Sequence, residues 1–485
     1  MREEGTFVNP KIVIYLLSLS ALLFAKATGA AEATERPNIL IVLGDDIDRD
    51  DLSPWGGPAH TPNLAQLARE GMRFDNVYAN VAMCAPFRQE LYSGRSAWRT
   101  RAMPNHSQSV LGTQSLPHYL RPLGYQVGLL GKRHVGPPEA YPFDKVGDLP
   151  RKTDANPLAV KRARRYMTQA RAAGKPFCLV IAAHDAHGPY TNGDTSRYPP
   201  AEFKLPDDSI DTSIYRKNLS RHFAEITHLD DLLGQLRALL SEEKLASNTL
   251  ILFCSEQGNA FPYSKWTCFN DGLASGVVAV LPAVIPAGTH SSQLMWISDI
   301  APTLVRAAGG KVVSQKFDGR SQWKNFTGGH QVIHKYAYGA FVNCRILDNQ
   351  DRVYPIRSIR DTRYSCIWSP RHDEEVTSNT TLTQALHWKR ATEQPTGLPN
   401  VAGSWLLKSW NSKSEKHRIL IERLYRRPEW ALYDRHSDPE ELNNQSENPQ
   451  LAPVLKRLQQ ELKSWLKKWG DSDPVATEKA FRSKL

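Results

Sequence analysis

The run Asn38-Ile-Leu-Ile-Val-Leu43, ending in Gly44-Asp45-Asp46, constrains the fold more than any other segment of this chain. Five consecutive apolar residues, mostly β-branched or leucine, predict a strand buried on both faces, as in a parallel sheet. Two adjacent carboxylates at its end are costly to bury unless a cation or a base pairs them. Hard oxygen donors suit Ca2+ or Mg2+; a turn or helix-capping aspartate pair is the plainer reading. Further strands are expected at Gln126–Leu130, Phe177–Ala182, Thr249–Phe253 and Val277–Leu281, with helices at 61–71, 157–173 and 219–240 between them. Strands alternating with helices predict an α/β core with a parallel or mixed sheet. Ligands then sit outside the carboxyl ends of the strands.

The region beyond about residue 345 reads differently. Short strands are expected at Tyr354–Arg360, Tyr364–Trp368, His417–Ile421 and Trp430–Tyr433, a long loop at 370–400, and a final helix with Leu451, Leu455, Leu458, Leu462 and Trp465 on one face. The expected division is a leader over 1–33, a large catalytic domain over 34–345 and a smaller α+β domain over 346–485, with an antiparallel sheet and a terminal helix. The leader rests on the apolar run at residues 12–25, preceded by Arg2 and Lys11 and followed by an Ala-x-Ala site at Ala31–Ala33. Fourteen residues are short for a membrane span, so a cleaved secretory signal is expected. That implies secretion or a periplasmic location without stable membrane insertion; an uncleaved anchor is the other reading.

A second chemical segment is Cys84-Ala-Pro-Phe-Arg88, running on to Leu91, Ser93, Gly94 and Arg95. A Cys entering a helix sits where backbone N–H groups favour an anion, with Arg88 one turn on; a structural Cys is the plainer reading. This pattern resembles the type I sulfatase signature, whose Cys is oxidised to formylglycine by a dedicated generating enzyme. Phe87 replaces the serine most frequent there. Other segments match in the family's order: Arg36–Asp46, Gly131-Lys132-Arg-His134, His184-Asp-Ala-His187, Ser255-Glu256-Gln257-Gly258 with Lys265, Ser298–Leu304, Asp318–Ser321 and Trp430–Asn443. Glu256 and Gln257 stand where the family has Asp and Asn or His, each adding a methylene. The 184–187 and 258–265 segments resemble the bacterial heparan N-sulfatase-like branch.

The resemblance implies a three-layer alkaline-phosphatase-like fold and an exported enzyme hydrolysing sulfate esters, with sulfamates as a further class, on a sulfated carbohydrate. It implies a metal bound by Asp45, Asp46, Cys84 as formylglycine, Glu256 and Gln257, with Ca2+ preferred to Mg2+. Arg88, Lys132 and Lys265 would counter the sulfate charge. The hydrated aldehyde at residue 84 would attack sulfur and later expel sulfate. His134 is assigned as base for that expulsion, His187 as acid to the leaving group, and His184 to the substrate rim. Two other readings stand beside this one: a phosphonate or phosphodiester hydrolase of the same superfamily, and a non-catalytic binder of sulfated glycans. The net charge of +11 would suit a polyanion, but no nucleic-acid-binding motif accompanies it; the basic stretch 161–175 reads first as a solvated helix face. With Cys84 converted, five Cys remain, and Cys344 with Cys366 is the expected pairing.

Overall fold

The computed structural model describes residues 36–151, 153–344, 353–374 and 401–483, together with Met1. The expected leader and most of the 370–400 loop lie outside these residues. Eight strands form the large sheet: β1 (Asn38–Gly44), β2 (Met72–Tyr78), β3 (Gln126–Gly131), β4 (Asp144–Gly147), β5 (Phe177–Ala182), β6 (Thr249–Ser255), β7 (Val277–Val280) and β8 (Thr289–Trp296). Their order is β4-β3-β5-β1-β6-β7-β2-β8. Only β7 runs antiparallel to its neighbours, which makes the sheet mixed.

Alternation along β1 divides the core in two. Leu40 and Val42 face a cluster with Leu229 and Leu233 of the long helix Ser213–Glu242. Ile39, Ile41 and Leu43 face one with Phe87 and Leu91 of the helix Cys84–Ser93. Helices thus cover both faces, which is why the strand reads as an unbroken apolar run.

A second, antiparallel sheet has the order β12-β11-β10-β9, from β9 (Ala337–Phe341), β10 (Ile356–Arg360), β11 (Tyr364–Trp368) and β12 (Trp430–Asp434). Because β9 precedes residue 345, this sheet draws on both sides of the expected division, and Pro37–Leu485 forms one compact unit. The helix Ala452–Lys468 packs on β10 and β11 through Leu458, Leu462 and Leu466. Beyond it, Asp471 takes two hydrogen bonds from the buried guanidinium of Arg357, at 2.6 and 3.0 Å, and one from Trp98 Nε1 at 2.8 Å.

Two expectations are corrected. His417–Ile421 is not a strand: it lies in the helix Glu415–Tyr425, where Leu420, Ile421, Leu424 and Tyr425 share a buried stripe and Ser414 caps the first turn. No disulfide joins Cys344 to Cys366; the Cys344 thiol instead lies 4.0 Å from the Glu478 carbonyl oxygen.

Candidate active site

Four neighbouring parallel strands, β3, β5, β1 and β6, end on the same edge of the large sheet, and each leads within two residues to polar side chains. β1 delivers Asp45 and Asp46, β3 Lys132 and His134, β5 His184 and His187, and β6 Glu256 and Gln257. Backbone hydrogen bonds lock these exits together: Asp45 N–H to Asp185 O at 2.8 Å, Ala186 N–H to Asp45 O at 2.8 Å, Glu256 N–H to Gly44 O at 3.1 Å and Lys132 N–H to Ala182 O at 2.9 Å. Gly131 is required at the turn into Lys132. Its φ is +94°, and a Cβ there would stand 2.2 Å from Ala182 O.

Cys84 is the first residue of the buried helix Cys84–Ser93, whose preceding residue, Met83, offers no side-chain cap. The free N–H groups of that terminus favour an anion. Arg88, one turn on, is fully buried; its Nε meets Glu256, its Nη2 lies 3.8 Å from Asp45 Oδ1, and its Nη1 donates to Lys132 O at 2.7 Å. Lys132 Nζ pairs with Asp45 Oδ2. Lys265 Nζ donates to both oxygens of Asp46, at 2.7 and 2.6 Å, and Gln257 Nε2 donates to Asp46 Oδ1 at 2.6 Å. Arg88, Lys132 and Lys265 all interact electrostatically with Cys84.

These residues suit a divalent cation. Ligand atoms of Asp45, Asp46, Cys84 and Glu256 lie within 4.8 Å of one another, a span that oxygen donors about 2.3–2.6 Å from a common Ca2+ can cover. Among the described residues, Asp45 Oδ1, Glu256 Oε2 and Gln257 Oε1 are buried without a hydrogen-bond partner, which in a native site calls for an ion, a water or a ligand. The longer Glu256 and Gln257 side chains thus still bring oxygen atoms to the cluster. Burial raises the carboxyl of Asp45, but Lys132, the neighbouring Glu256 carboxyl and Arg88 hold it well below the usual range. Burial pushes Glu256 well above that range, against Arg88 and with Asp45. Of two crowded carboxyls, one stays ionised and the other keeps a proton until a cation neutralises both.

Three histidines surround this cluster. His134 Nε2 lies 2.7 Å from His106 Nδ1, and its own Nδ1 is buried and unpartnered among the described residues. Burial, then Lys132 and Arg88, bring its pKa down to about 3, so it is neutral near pH 7. His187 Nε2 points toward Asp46 Oδ2 at 3.6 Å, while its Nδ1 lies 2.8 Å from Gly188 O and 3.0 Å from Arg151 Nη2. His184 is half-buried, its Nδ1 has no partner among the described residues, and burial brings it to about 4.

The structure therefore gathers Asp45, Asp46, Cys84, Arg88, Glu256, Gln257 and Lys265 into one buried cluster with the half-buried Lys132 at its edge, and His134, His184 and His187 around it. Sequence reasoning overlooked His106, Arg151 and His228. His228, from the long helix, bonds Asp185 Oδ2 at 2.8 Å and Asp154 Oδ1 at 2.9 Å, and so pins the loop that carries His184 and His187. None of the three lies in a recognisable motif, and only three-dimensional proximity marks them.

A sequence profile described as Sulfatase matches residues 37–310. The chain is 29% identical over 447 residues to an ulvan-active sulfatase of Formosa agariphila, covering 90% of this chain and 81% of that one. It is 24% identical over 487 residues to N-sulphoglucosamine sulphohydrolase of Homo sapiens, covering 90% and 91%. In three dimensions it resembles a protein solved in complex with its substrate D-glucosamine-2-N,6-O-disulfate, at a TM-score of 0.65 and 19% identity over 91% of this chain and 99% of the other.

Proposed function

The chain belongs to the sulfatase family, and on that premise we propose that it is an exported, formylglycine- and Ca2+-dependent sulfatase acting on a sulfated carbohydrate. The observation that carries this reading is the cluster in which Cys84, at a helix N-terminus, interacts electrostatically with Arg88, Lys132 and Lys265 beside acidic oxygens unpartnered among the described residues. The names of the Formosa and human relatives, an ulvan-active sulfatase and an N-sulphoglucosamine sulphohydrolase, support a sulfated sugar. The apolar run at residues 12–25 supports export.

Arg88, Lys132 and Lys265 are fixed by their carboxylate partners before any substrate arrives. They can meet sulfate oxygens without reorganising, which is where electrostatic catalysis is strongest. Asp45, Asp46, Glu256 and Gln257 would hold the cation, which supplies charge to polarise the sulfate group. Oxidised by a formylglycine-generating enzyme, Cys84 supplies the nucleophile. His134, neutral and with a free Nδ1, accepts a proton there, and His187 holds a proton for the leaving oxygen or nitrogen. His184 lines the approach to the same pocket.

Mass spectrometry of the peptide containing residue 84, from protein co-produced with the generating enzyme, tests the reading together with sulfate release from defined sulfated mono- and oligosaccharides. Formylglycine at position 84 with sulfate release is expected. An unmodified Cys84 with no release from any sugar or aryl sulfate would overturn it, as would faster turnover of an aryl phosphodiester than of an aryl sulfate.

A further inference from the structure

Tyr354, Ser369 and Arg427 meet at one end of the second sheet. Tyr354 stands just before β10, Ser369 directly after β11 and Arg427 shortly before β12. Antiparallel pairing of Arg357 with Trp368 and of Trp368 with Trp430 brings these chain positions together. All three residues are buried, Arg427 at 7% exposure and Tyr354 at 1%.

No described residue accepts a hydrogen bond from the Arg427 side chain or forms an ion pair with it, and its Nε is buried. The Phe269 ring covers one face of the guanidinium, with Cζ 4.6 Å from the ring centroid. The N–H donors lie in the guanidinium plane and stay unmet. Burial weakens the hold of Arg427 on its proton, and the groups that act on it most strongly are Tyr354, Arg423, Tyr433 and Tyr263, with no carboxylate among them. The Tyr354 phenol oxygen is likewise buried and unpartnered among the described residues. Burial raises that phenol, and Arg427 is the group that most opposes the shift; Ser369 adjoins the same hydroxyl.

The carboxylates of this region are engaged elsewhere. Glu441 takes the Ser365 hydroxyl and the Asn270 N–H, and Asp208 acts on Arg423. Asp373 acts on Tyr354 from an exposed position, and Arg371 beside it is paired with Glu374. A buried guanidinium without a counter-charge is strongly destabilising. Water can satisfy its N–H groups but not its charge.

We propose that Arg427 and Tyr354 bind a monovalent inorganic anion, chloride, which ties together the adjoining ends of β10, β11 and β12. One guanidinium balances one negative charge, and a halide needs few donors and no fixed geometry. A divalent oxyanion would bring a second buried charge with nothing to match it.

The test is calorimetry of the full-length protein at constant ionic strength and fixed Ca2+, with sodium chloride replacing sodium gluconate, together with chlorine NMR line widths. Wild type should gain about 1–2 °C in Tm at roughly ten times the half-saturating chloride concentration, and should broaden the chloride line saturably. Arg427→Met should lose both responses. Tyr354→Phe should raise the half-saturating concentration about tenfold or more, through loss of one hydrogen bond to an ion. The proposal is overturned if wild type gives no saturable line broadening, or if Tm gains are equal in wild type and folded Arg427→Met. Should Arg427→Met not fold, Tyr354→Phe decides: an unchanged half-saturating concentration overturns the proposal.

Discussion

Lys265→Met removes the ammonium from the two oxygens of Asp46 while keeping most of the side-chain length. Asp46 is 1% exposed and would retain one donor, Gln257 Nε2 at 2.6 Å. Breaking a buried ion pair by deleting one partner costs about 3–5 kcal/mol, because the remaining charge is left uncompensated. The unit Pro37–Leu485 has an unfolding entropy of roughly 0.9 kcal/mol/K on a per-residue scale, so the loss converts to a fall in Tm of about 3–5 °C. That fall should be complete in chelator. A cation bound at Asp46 replaces the missing positive charge, so Ca2+ should restore most of the loss and raise the Tm of the variant more than that of the wild type. Turnover should still drop by about 10^2–10^3, the usual effect of losing one preorganised charge partner. The assay is scanning calorimetry at one scan rate, with EGTA and with Ca2+, alongside aryl sulfate turnover. Equal Tm values in EGTA, or equal Ca2+ increments for the two proteins, would refute the assignment of Lys265 and the cation to the same carboxylate.

Three further outcomes are expected. His134→Gln should lower turnover by about 10^2–10^4; because His134 is held near 3, it stays unprotonated above that pH, and a wild-type acid limb centred near 6.5 would count against it as the base. His228 is lifted to about 9 by hydrogen bonds to Asp185 and Asp154, which outweigh a still larger burial effect of opposite sign. Its contribution to stability is therefore complete below its unfolded value of about 6.5 and lost as pH rises through 9, so His228→Ala should flatten the decline in Tm between pH 7 and 9.5 and reduce kcat about tenfold by loosening the loop. Asp471→Asn leaves the Arg357 guanidinium buried without a counter-charge and should cost about 3–5 kcal/mol by denaturant titration, while turnover per folded molecule stays unchanged.

The central strands were legible because burial on both faces leaves continuous apolar runs at β1, β5 and β6. The edge strands β4 and β8, and β2 beside β8, were not. β2 (Met-Arg-Phe-Asp-Asn-Val-Tyr) and β8 (Thr-His-Ser-Ser-Gln-Leu-Met-Trp) carry polar residues that face outward and blur the pattern. His417–Ile421 misled because a short β-branched run looks alike in helix and strand until Leu424 and Tyr425 extend the helical stripe. The site residues were legible where each sits within a local segment of unusual chemistry at a strand end. Arg151, through His187 and Gly188, and His228, through Asp185, act on a loop far away in sequence, which no local pattern can reveal.

Asp471 has a consequence for the order of events as the chain is made. Cys84 is 2% exposed, at the head of a helix buried at all ten positions, so an enzyme that rewrites its side chain needs it before the fold closes. Trp98 and Arg357 both wait for Asp471, which follows them in the chain, to satisfy their buried N–H groups. Asp471 is made long after Cys84, so the proposed conversion of Cys84 would have to finish before Asp471 docks and seals the structure. A chain truncated before Asp471 should stay open longer and show a higher fraction of converted Cys84 by mass spectrometry.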